Sequence, residues 1–267
     1  MDNRPIGVFD SGFGGLTVAK GIMKQLKNEK IIYFGDTARV PYGSKSKDTI
    51  IKYSNQIIRF LLTKDVKAIV IACGTASAMA LDTVRENYDI PIIGIVRPAA
   101  VSAVNKTKNK RIGIIATEGT VRSGSYDAVI KEQTEDVQVF STACPLFVPL
   151  VEEGWAEDKV TYMVAQRYLE NLSDKAIDTL VLGCTHYPLL KKTIGTIMGE
   201  EVTLINPANE TALVLEKLLN SKDMMHQEQI PEHEFYVSDL AEKFEGFAKQ
   251  IIKTSTLPVK QINIENY

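Results

Sequence analysis

Short apolar runs alternate with amphipathic segments of helical length along most of this chain. In the first half, runs rich in β-branched and aromatic residues cover residues 6–9, 31–34, 68–72 and 91–95. Segments with the apolar spacing of an amphipathic helix lie between them, at residues 16–26, 48–62 and 76–87. Strands that alternate with helices indicate βαβ units, which place the strands in a parallel sheet. The pattern therefore predicts an α/β fold.

The same pattern begins again in the second half of the chain. Residues 112–116, 137–140 and 179–183 are predicted strands, and residues 158–172 are a predicted helix. The segment IGVFDSG, which begins at Ile6, is similar to IGIIATE, which begins at Ile112. The strand before Cys73 is also similar to the strand before Cys184. In both pairs, the similar segments are separated by nearly the same number of residues. We infer a duplicated α/β unit.

The part of the chain after residue 206 is too short for a third domain. Its pattern predicts a helix at 210–219, a polar stretch at 221–232, a strand at 234–237 and a helix at 239–252. We expect these elements to pack on the first unit. The first domain is therefore predicted to be discontinuous, with residues 1–97 and 207–267, and the second domain to comprise residues 98–206.

The composition argues against several classes of protein. Apolar residues make up 45% of the 267 residues, and 31 Lys and Arg nearly balance 33 Asp and Glu. This balance argues against a protein that binds nucleic acid or a membrane surface, because both need clustered positive charge. No apolar run is long enough to span a bilayer, and the first residues do not follow the pattern of a signal peptide. Three cysteines cannot all form disulfides, so we expect a cytoplasmic protein.

Two of the three cysteines follow predicted strands, at the end of an open α/β sheet where active sites are found. Cys73 and Cys184 each come directly after a strand and before a helix. Cys144 lacks this context and is predicted to be a small buried residue. Other polar residues that follow predicted strands are Asp10, Ser11, Asp36, Thr37, Thr117 and His186.

A matched pair of thiols suits a reaction that is itself symmetric. One thiolate can remove a proton from one face of a carbon atom, and the other thiol can return a proton to the opposite face. A reference pKa near 8.5 lets a thiol alternate between acid and base near neutral pH. Asp10 and His186 are candidate partners that poise the thiols or relay protons.

Other uses of the two cysteines fit the sequence less well. A disulfide would suit an oxidising compartment, and a nucleophile would need only one cysteine. Zinc would need further closely spaced ligands, and His226 and His233 do not provide them, so no metal is expected. The glycine-rich segment at 11–17 could hold a phosphate or carboxylate on backbone N–H groups, but it matches neither a Walker A loop nor a full dinucleotide fingerprint.

At these residues the chain closely resembles the bacterial glutamate racemase family, within the aspartate/glutamate racemase superfamily. The motifs that carry the resemblance are spread over nearly the whole chain. They are GVFDSGFGGLTV from Gly7, GDTARVPYG from Gly35, AC at 72–73 with TASA from Thr75, ACPLFVPLVEEG from Ala143 and LGCTHYP from Leu182.

The resemblance implies two flavodoxin-like parallel-sheet domains related by pseudo-twofold symmetry, with glutamate bound in the cleft between them and no cofactor. It implies that Cys73 is the base for one enantiomer and Cys184 for the other, with Asp10 beside Cys73, with Glu152 and His186 beside Cys184, and with Asp36 as a further acid. The implied substrate-binding positions are Asp10, Ser11, Pro41, Tyr42, Gly43, Gly74, Thr75, Thr117, Thr120, Thr185 and His186. A homodimer that supplies D-glutamate for peptidoglycan is also implied.

One position departs from the family pattern, which normally has asparagine after the first cysteine. Here the residue is Gly74, and the family's asparagine binds the substrate amino group. The resemblance therefore predicts that Gly74→Asn restores this contact and lowers KM for glutamate. The departure also keeps two other hypotheses open, namely a racemase of aspartate or of broader specificity, and a catalytically silent protein that binds an acidic amino acid.

Overall fold

The computed structural model describes residues 2–226, 231–254 and 257–267. Its strands are β1 (Ile6–Asp10), β2 (Ile31–Gly35), β3 (Ala68–Ile71), β4 (Ile92–Gly94), β5 (Arg111–Ala116), β6 (Gln138–Ala143), β7 (Thr179–Leu182), β8 (Thr203–Ile205), β9 (Glu234–Val237) and β10 (Val259–Gln261). The helices in the first half of the chain are α1 (Leu16–Gln25), α2 (Lys47–Leu62), α3 (Gly74–Met79), α4 (Leu81–Asn87), α5 (Val96–Lys106), α6 (Glu118–Ser123) and α7 (Ser125–Gln133). Those that follow are α8 (Phe147–Glu152), α9 (Lys159–Ser173), α10 (Lys191–Met198), α11 (Pro207–Ser221) and α12 (Ala241–Ile252), with short 3₁₀ helices at Tyr187–Leu190 and Ile264–Asn266.

The strands form two parallel sheets, which confirms the predicted α/β class. The first sheet has the order β10-β9-β2-β1-β3-β4, and the second has the order β6-β5-β7-β8. Within the first sheet, β2-β1-β3-β4 repeats the order of the four strands of the second sheet. This shared order supports the inferred duplication and makes the ends of β3 and β7 equivalent positions.

Both faces of the first sheet are covered, as is usual for parallel sheets. Successive side chains of β2 alternate between two separate apolar clusters: Ile31 and Tyr33 belong to one, and Ile32 and Phe34 to the other. The alternation follows from the period of two in a strand. Because helices pack on both faces, the carboxyl ends of the strands remain the accessible edge.

The tail extends the first sheet rather than forming a separate unit. Strand β9 pairs in parallel with β2, and β10 pairs in parallel with β9. Helix α11 packs against α1. Part of the predicted polar stretch, residues 227–230, lies outside the described residues.

The structure corrects several predicted elements. The single helix predicted at 76–87 is two helices, α3 and α4, separated at the buried residue Ala80, where φ is −110° and ψ is −21°. The last predicted helix begins later than residue 239, after Leu240 adopts a left-handed backbone conformation. The pattern did not predict α5, α8, α10, β8 or β10. Within the described ranges, no helix combines the length and apolar character needed to cross a membrane.

Candidate active site

A cavity of about 380 Å³ lies between the carboxyl ends of the two sheets. The loops after β1, β2 and β3 line it from one side, and the loops after β5, β6 and β7 line it from the other. The expected cleft between the two units is therefore present. The residues predicted from the sequence that line it are Ser11, Pro41, Tyr42, Gly43, Cys73, Gly74, Thr75, Thr117, Glu152, Cys184, Thr185 and His186.

Cys73 caps the N-terminus of α3. Its Sγ accepts a hydrogen bond from the backbone N–H of Ala76 at 3.5 Å and donates one to Ser11 Oγ at 3.5 Å. Burial raises the pKa of the Cys73 thiol to about 12, and the negative charge of Asp10 acts in the same direction. The hydrogen bond from Ala76 opposes this shift only in part. Burial therefore favours the neutral thiol form of Cys73.

Asp10 is fully buried behind the cavity, at the end of β1. One carboxylate oxygen accepts from the backbone N–H of Gly12 at 3.0 Å, and the other accepts from Thr185 Oγ1 at 3.5 Å. Burial raises the pKa of Asp10, and the positive charge of His186 opposes this shift. Because Thr185 follows β7, Asp10 connects the two halves of the site.

Cys184 has a different set of partners from Cys73. Its Sγ lies 3.8 Å from Nδ1 of His186, and Nε2 of His186 lies 2.9 Å from Oε1 of Glu152. Burial alone would lower the pKa of His186, but its hydrogen bonds to Cys184 and Glu152 outweigh burial and raise that pKa to about 10. A protonated imidazole therefore lies between the sulfur of Cys184 and the carboxylate of Glu152.

A chain of threonine hydroxyls crosses from one unit to the other beside the cysteines. Thr75 Oγ1 lies 2.9 Å from Thr117 Oγ1, which lies 3.0 Å from Thr120 Oγ1. Thr75 and Thr117 line the cavity, whereas Thr120 lies behind Thr117. Hydroxyl groups that face the cavity can donate to a carboxylate of the ligand.

The family model for Asp/Glu/Hydantoin racemase matches residues 6–214 of the chain. The chain belongs to this family. Glutamate racemase from Geobacter metallireducens is 45% identical over 266 residues, which cover 99% of this chain and 98% of that protein. Glutamate racemase from Lactococcus lactis subsp. lactis is 46% identical over 268 residues, which cover 100% of this chain and 98% of that protein. The resemblance and the predicted class of enzyme, a racemase, are confirmed.

Solved structures of this racemase family share the whole fold. The crystal structure of a glutamate racemase isoform from Bacillus anthracis has a TM-score of 0.96 at 37% identity, with 98% of each chain covered. That of the glutamate racemase from Francisella tularensis in complex with D-glutamate has a TM-score of 0.93 at 40% identity, with 100% of each chain covered. An aspartate racemase from Picrophilus torridus has a TM-score of 0.57 at 18% identity, which shows similarity of fold alone.

The backbone at Gly74 lies very close to the loop that carries Cys184. A Cβ atom at position 74 would lie 2.5 Å from the carbonyl oxygen of Gly183, closer than carbon atoms approach in real structures. The obstacle is a contact with backbone rather than an unusual backbone conformation at position 74. An asparagine here therefore requires a shift of one of the two loops, and the gain in binding from Gly74→Asn stays a prediction.

Asp36 lies outside the cavity lining, although the resemblance makes it a supporting acid. It is completely buried, and its carboxylate forms an ion pair with Arg39 at 2.7 Å. It also accepts hydrogen bonds from the hydroxyl of Ser238 at 2.9 Å and from the hydroxyl of Tyr42. Since Tyr42 does line the cavity, Asp36 is connected to the site through its hydrogen bond with Tyr42.

Sequence reasoning missed three of the four residues that form one wall of the cavity. Pro145, Val148 and Pro149 line it together with Glu152. The last three belong to α8, and the four residues are spaced at i, i+3, i+4 and i+7, which places them on one face of a helix. This helical spacing could have been recognised in the sequence. The remaining lining residues that were not predicted are Gly12, Val40, Ser44 and Glu118.

The third cysteine and the two tail histidines lie away from this chemistry. Cys144 is buried and does not line the cavity, as predicted, and its carbonyl oxygen accepts from the hydroxyl of Tyr187 at 2.7 Å. His233 accepts from the backbone N–H of Ile31 at 3.2 Å. Among residues 2–226, 231–254 and 257–267, no group of three or more His, Cys, Asp or Glu side chains is placed to hold a metal ion.

Proposed function

We propose that this chain interconverts L- and D-glutamate by removing the α-proton from one face and delivering a proton to the other. The observation that carries the proposal is the placement of two buried, free cysteines at equivalent strand ends on opposite sides of one cavity. The amino-acid substrate follows from the relatives, which are glutamate racemases at about 45% identity over their full length.

In one direction, Cys184 is the base and Cys73 is the acid. His186 and Glu152 support negative charge on Cys184, while burial keeps the proton on Cys73. The thiolate of Cys184 takes the α-proton, and the Cys73 thiol donates its proton to the opposite face of the resulting carbanion. After one turnover Cys184 is a thiol and Cys73 is a thiolate.

In the reverse direction, Cys73 must act as the base although burial disfavours its charge. Asp10 is placed to assist, because a protonated carboxyl removes the negative charge that opposes ionisation of Cys73. The hydroxyl of Ser11 and the backbone N–H of Ala76 then stabilise the thiolate. The two thiols thus share one reaction but depend on different neighbours.

Substrate binding is assigned to the hydroxyl and backbone groups that surround the thiols. Ser11, Thr75, Thr117 and Thr185 present hydroxyls, with Thr120 behind Thr117. The segment 41–43, with Pro41, Tyr42 and Gly43, contributes backbone groups and one aromatic wall. A water-poor cavity strengthens these polar contacts and the attraction between thiolate and imidazolium.

The further properties expected of such an enzyme belong to the same proposal. Residues 1–97 with 207–267 form the first domain and residues 98–206 the second, so that domain closure encloses the substrate. The reaction needs no cofactor, since the two thiols carry both proton transfers. We expect a cytoplasmic homodimer that supplies D-glutamate for peptidoglycan synthesis.

Incubation with L-glutamate and with L-aspartate, followed by chiral chromatography, tests the proposal. The purified chain, treated with a chelator and without added cofactor, should convert L-glutamate to an equal mixture of enantiomers and leave L-aspartate largely unchanged. Faster racemisation of aspartate would overturn the assigned substrate. Binding of glutamate without any racemisation would show a silent binding protein.

A further inference from the structure

The glycine-rich segment at residues 11–17 leads from β1 into α1 and passes beside the loop that follows β7. The backbone N–H groups of Leu16 and Thr17 donate to the carbonyls of Phe13 at 3.2 Å and of Gly14 at 3.0 Å. These two donors are used within the segment and are not free to hold a phosphate or carboxylate. The contacts that the segment makes with the loop after β7 indicate a different role.

Gly14 lies directly against the imidazole of His186. A Cβ atom at position 14 would lie 2.4 Å from Nδ1 and 2.5 Å from Cε1 of His186, and 2.4 Å from Oγ1 of Thr185. Nδ1 is the ring nitrogen that faces Sγ of Cys184 at 3.8 Å. The imidazole can therefore occupy this place only because residue 14 has no side chain.

Thr17 connects the same segment to the backbone of the loop after β7. Its Oγ1 lies 2.9 Å from the carbonyl oxygen of Thr185 and 2.9 Å from that of Gly14. The Gly14 carbonyl also accepts from the backbone N–H of Thr17, so the hydroxyl matters most for Thr185. Since His186 follows Thr185 in the chain, this hydrogen bond fixes the backbone from which the imidazole projects.

We propose that Gly14 and Thr17 are positioning residues that hold the imidazole of His186 against Cys184. This inference rests on the proposed reaction, in which His186 supports Cys184. Gly14 leaves the space for the ring, Thr17 fixes the carbonyl of the preceding residue, and Glu152 holds the other ring nitrogen at 2.9 Å. Because the imidazole is held at these three points, a change at residue 14 or 17 shifts Nδ1 relative to Cys184.

Gly14→Ala tests the space beside the ring, and Thr17→Val tests the hydrogen bond, because valine is similar in shape to threonine but cannot donate. The matched controls are Gly246→Ala and Thr193→Val. Gly246 is exposed, and a Cβ there meets no atom within 4 Å. Thr193 is half-buried like Thr17, and its hydroxyl donates to the carbonyl of Ala156 at 3.2 Å. Neither control residue lines the cavity.

Racemisation of L- and D-glutamate should slow in both test variants and in neither control. Loss of one hydrogen bond should lower kcat/KM about fivefold in Thr17→Val. A displacement of the imidazole by about 1 Å should lower it about 10²-fold in Gly14→Ala. In each variant the factor should be the same for both enantiomers, because their equilibrium constant is unity.

Substrate deuterated at the α-carbon shows which thiol is affected. Gly14→Ala also presses on Oγ1 of Thr185, which donates to Asp10, so this comparison uses Thr17→Val. The isotope effect on kcat/KM should rise for the enantiomer whose proton Cys184 removes and fall for the other. A merely structural change would slow both proton transfers and would not produce this split.

A titration of His186 by NMR reports on the imidazole without any turnover. The chain has three histidines, so protein labelled with ¹⁵N in histidine gives few signals, and His186→Asn identifies the one from His186. Burial lowers the pKa of His186, but its hydrogen bonds to Cys184 and Glu152 outweigh burial and raise that pKa to about 10. These two groups and Asp10 are the ionisable groups that face the ring, and no variant replaces them.

The midpoint of this titration should fall by about one pH unit in Gly14→Ala and in Thr17→Val, because the ring moves away from Cys184. Both controls should keep the wild-type midpoint. Wild-type activity and an unchanged midpoint in both test variants would overturn the inference. Isotope effects that change alike for both enantiomers in Thr17→Val would also overturn it. If Gly14→Ala does not fold, as judged by Tm, Thr17→Val decides by the same measurements.

The outcome is separable from that of the proposed function. If the wild type does not racemise glutamate, the proposed function fails, while the titration still tests whether Gly14 and Thr17 position the imidazole. If the wild type racemises glutamate and both variants match it in rate and in titration, only the role of Gly14 and Thr17 is lost.

Discussion

Replacing His186 by asparagine removes the positive charge beside Cys184 and leaves a polar side chain in its place. His186 Nδ1 lies 3.8 Å from Cys184 Sγ. At this separation the attraction between an imidazolium and a thiolate is about 4 kcal/mol for an effective dielectric constant of about 20. An amide dipole recovers part of this energy, so we expect a net loss of about 3 kcal/mol, which corresponds to about 10²-fold in kcat/KM.

His186→Asn must lower kcat/KM by the same factor in both directions of racemisation. The enantiomers have equal free energy in water, so the equilibrium constant is unity and fixes the ratio of the two kcat/KM values. The two kcat/KM values therefore cannot show that the two cysteines depend on different neighbours, and another measurement is needed. Substrate deuterated at the α-carbon reports which proton transfer limits the rate.

In His186→Asn, transfer to or from Cys184 becomes the slower step. The substrate isotope effect on kcat/KM should rise for the enantiomer whose proton Cys184 removes and fall for the other. Ser11→Ala is the matched variant on the opposite side, since Ser11 Oγ lies 3.5 Å from Cys73 Sγ. Ser11→Ala should change the two substrate isotope effects in the opposite directions. A loss of less than threefold in His186→Asn, or isotope effects that change alike in both directions, would refute the reasoning.

Cys73→Ser and Cys184→Ser should each abolish racemisation in both directions while Tm stays close to that of the wild type, because a hydroxyl is similar in size but far harder to ionise than a thiol. A variant that retained a tenth of wild-type turnover would remove that thiol from the mechanism. The pKa of His186 is raised in the fold to about 10, above its unfolded value of about 6.5. Its contribution to the free energy of unfolding is therefore fully present below about pH 6.5 and is lost as the pH rises through about 10. In urea denaturation, the stability difference between the wild type and His186→Gln should shrink over this range, and a difference independent of pH would contradict a charged His186.

The long elements of the fold were predictable because their periodic patterns are strong. The strands that end at Asp10 and before the two cysteines are continuous apolar runs that the sheet buries on both faces. Strands β8 and β10 have three residues each and partly exposed side chains, so no period of two can be recognised in them. The break between α3 and α4 was also unpredictable, because it falls at an alanine, Ala80, rather than at a glycine or proline.

The reacting groups of the site were predictable from position, whereas their contacts were not. Strand ends of a parallel sheet meet at one edge, so the positions of Cys73 and Cys184 at the cavity could be predicted from the sequence. The ion pair of His186 with Glu152 joins a loop after β7 to the end of α8, and only the folded chain brings them within 2.9 Å. The close approach of Gly74 to the carbonyl oxygen of Gly183 likewise joins two units, and only the folded chain shows it.

The central claim is that two different thiols serve the two faces of the α-carbon. It is tested most directly by running the reaction from L-glutamate in deuterium oxide and stopping it early. The delivering thiol has exchanged with solvent, so the D-glutamate formed should carry deuterium at its α-carbon. The remaining L-glutamate should carry almost none, because a proton returned to its original face regenerates unlabelled substrate, and the reaction from D-glutamate should give the mirror result. Deuterium in recovered substrate at the level of the product, or transfer of the substrate's own proton into product, would contradict the assignment of Cys73 and Cys184 as separate bases.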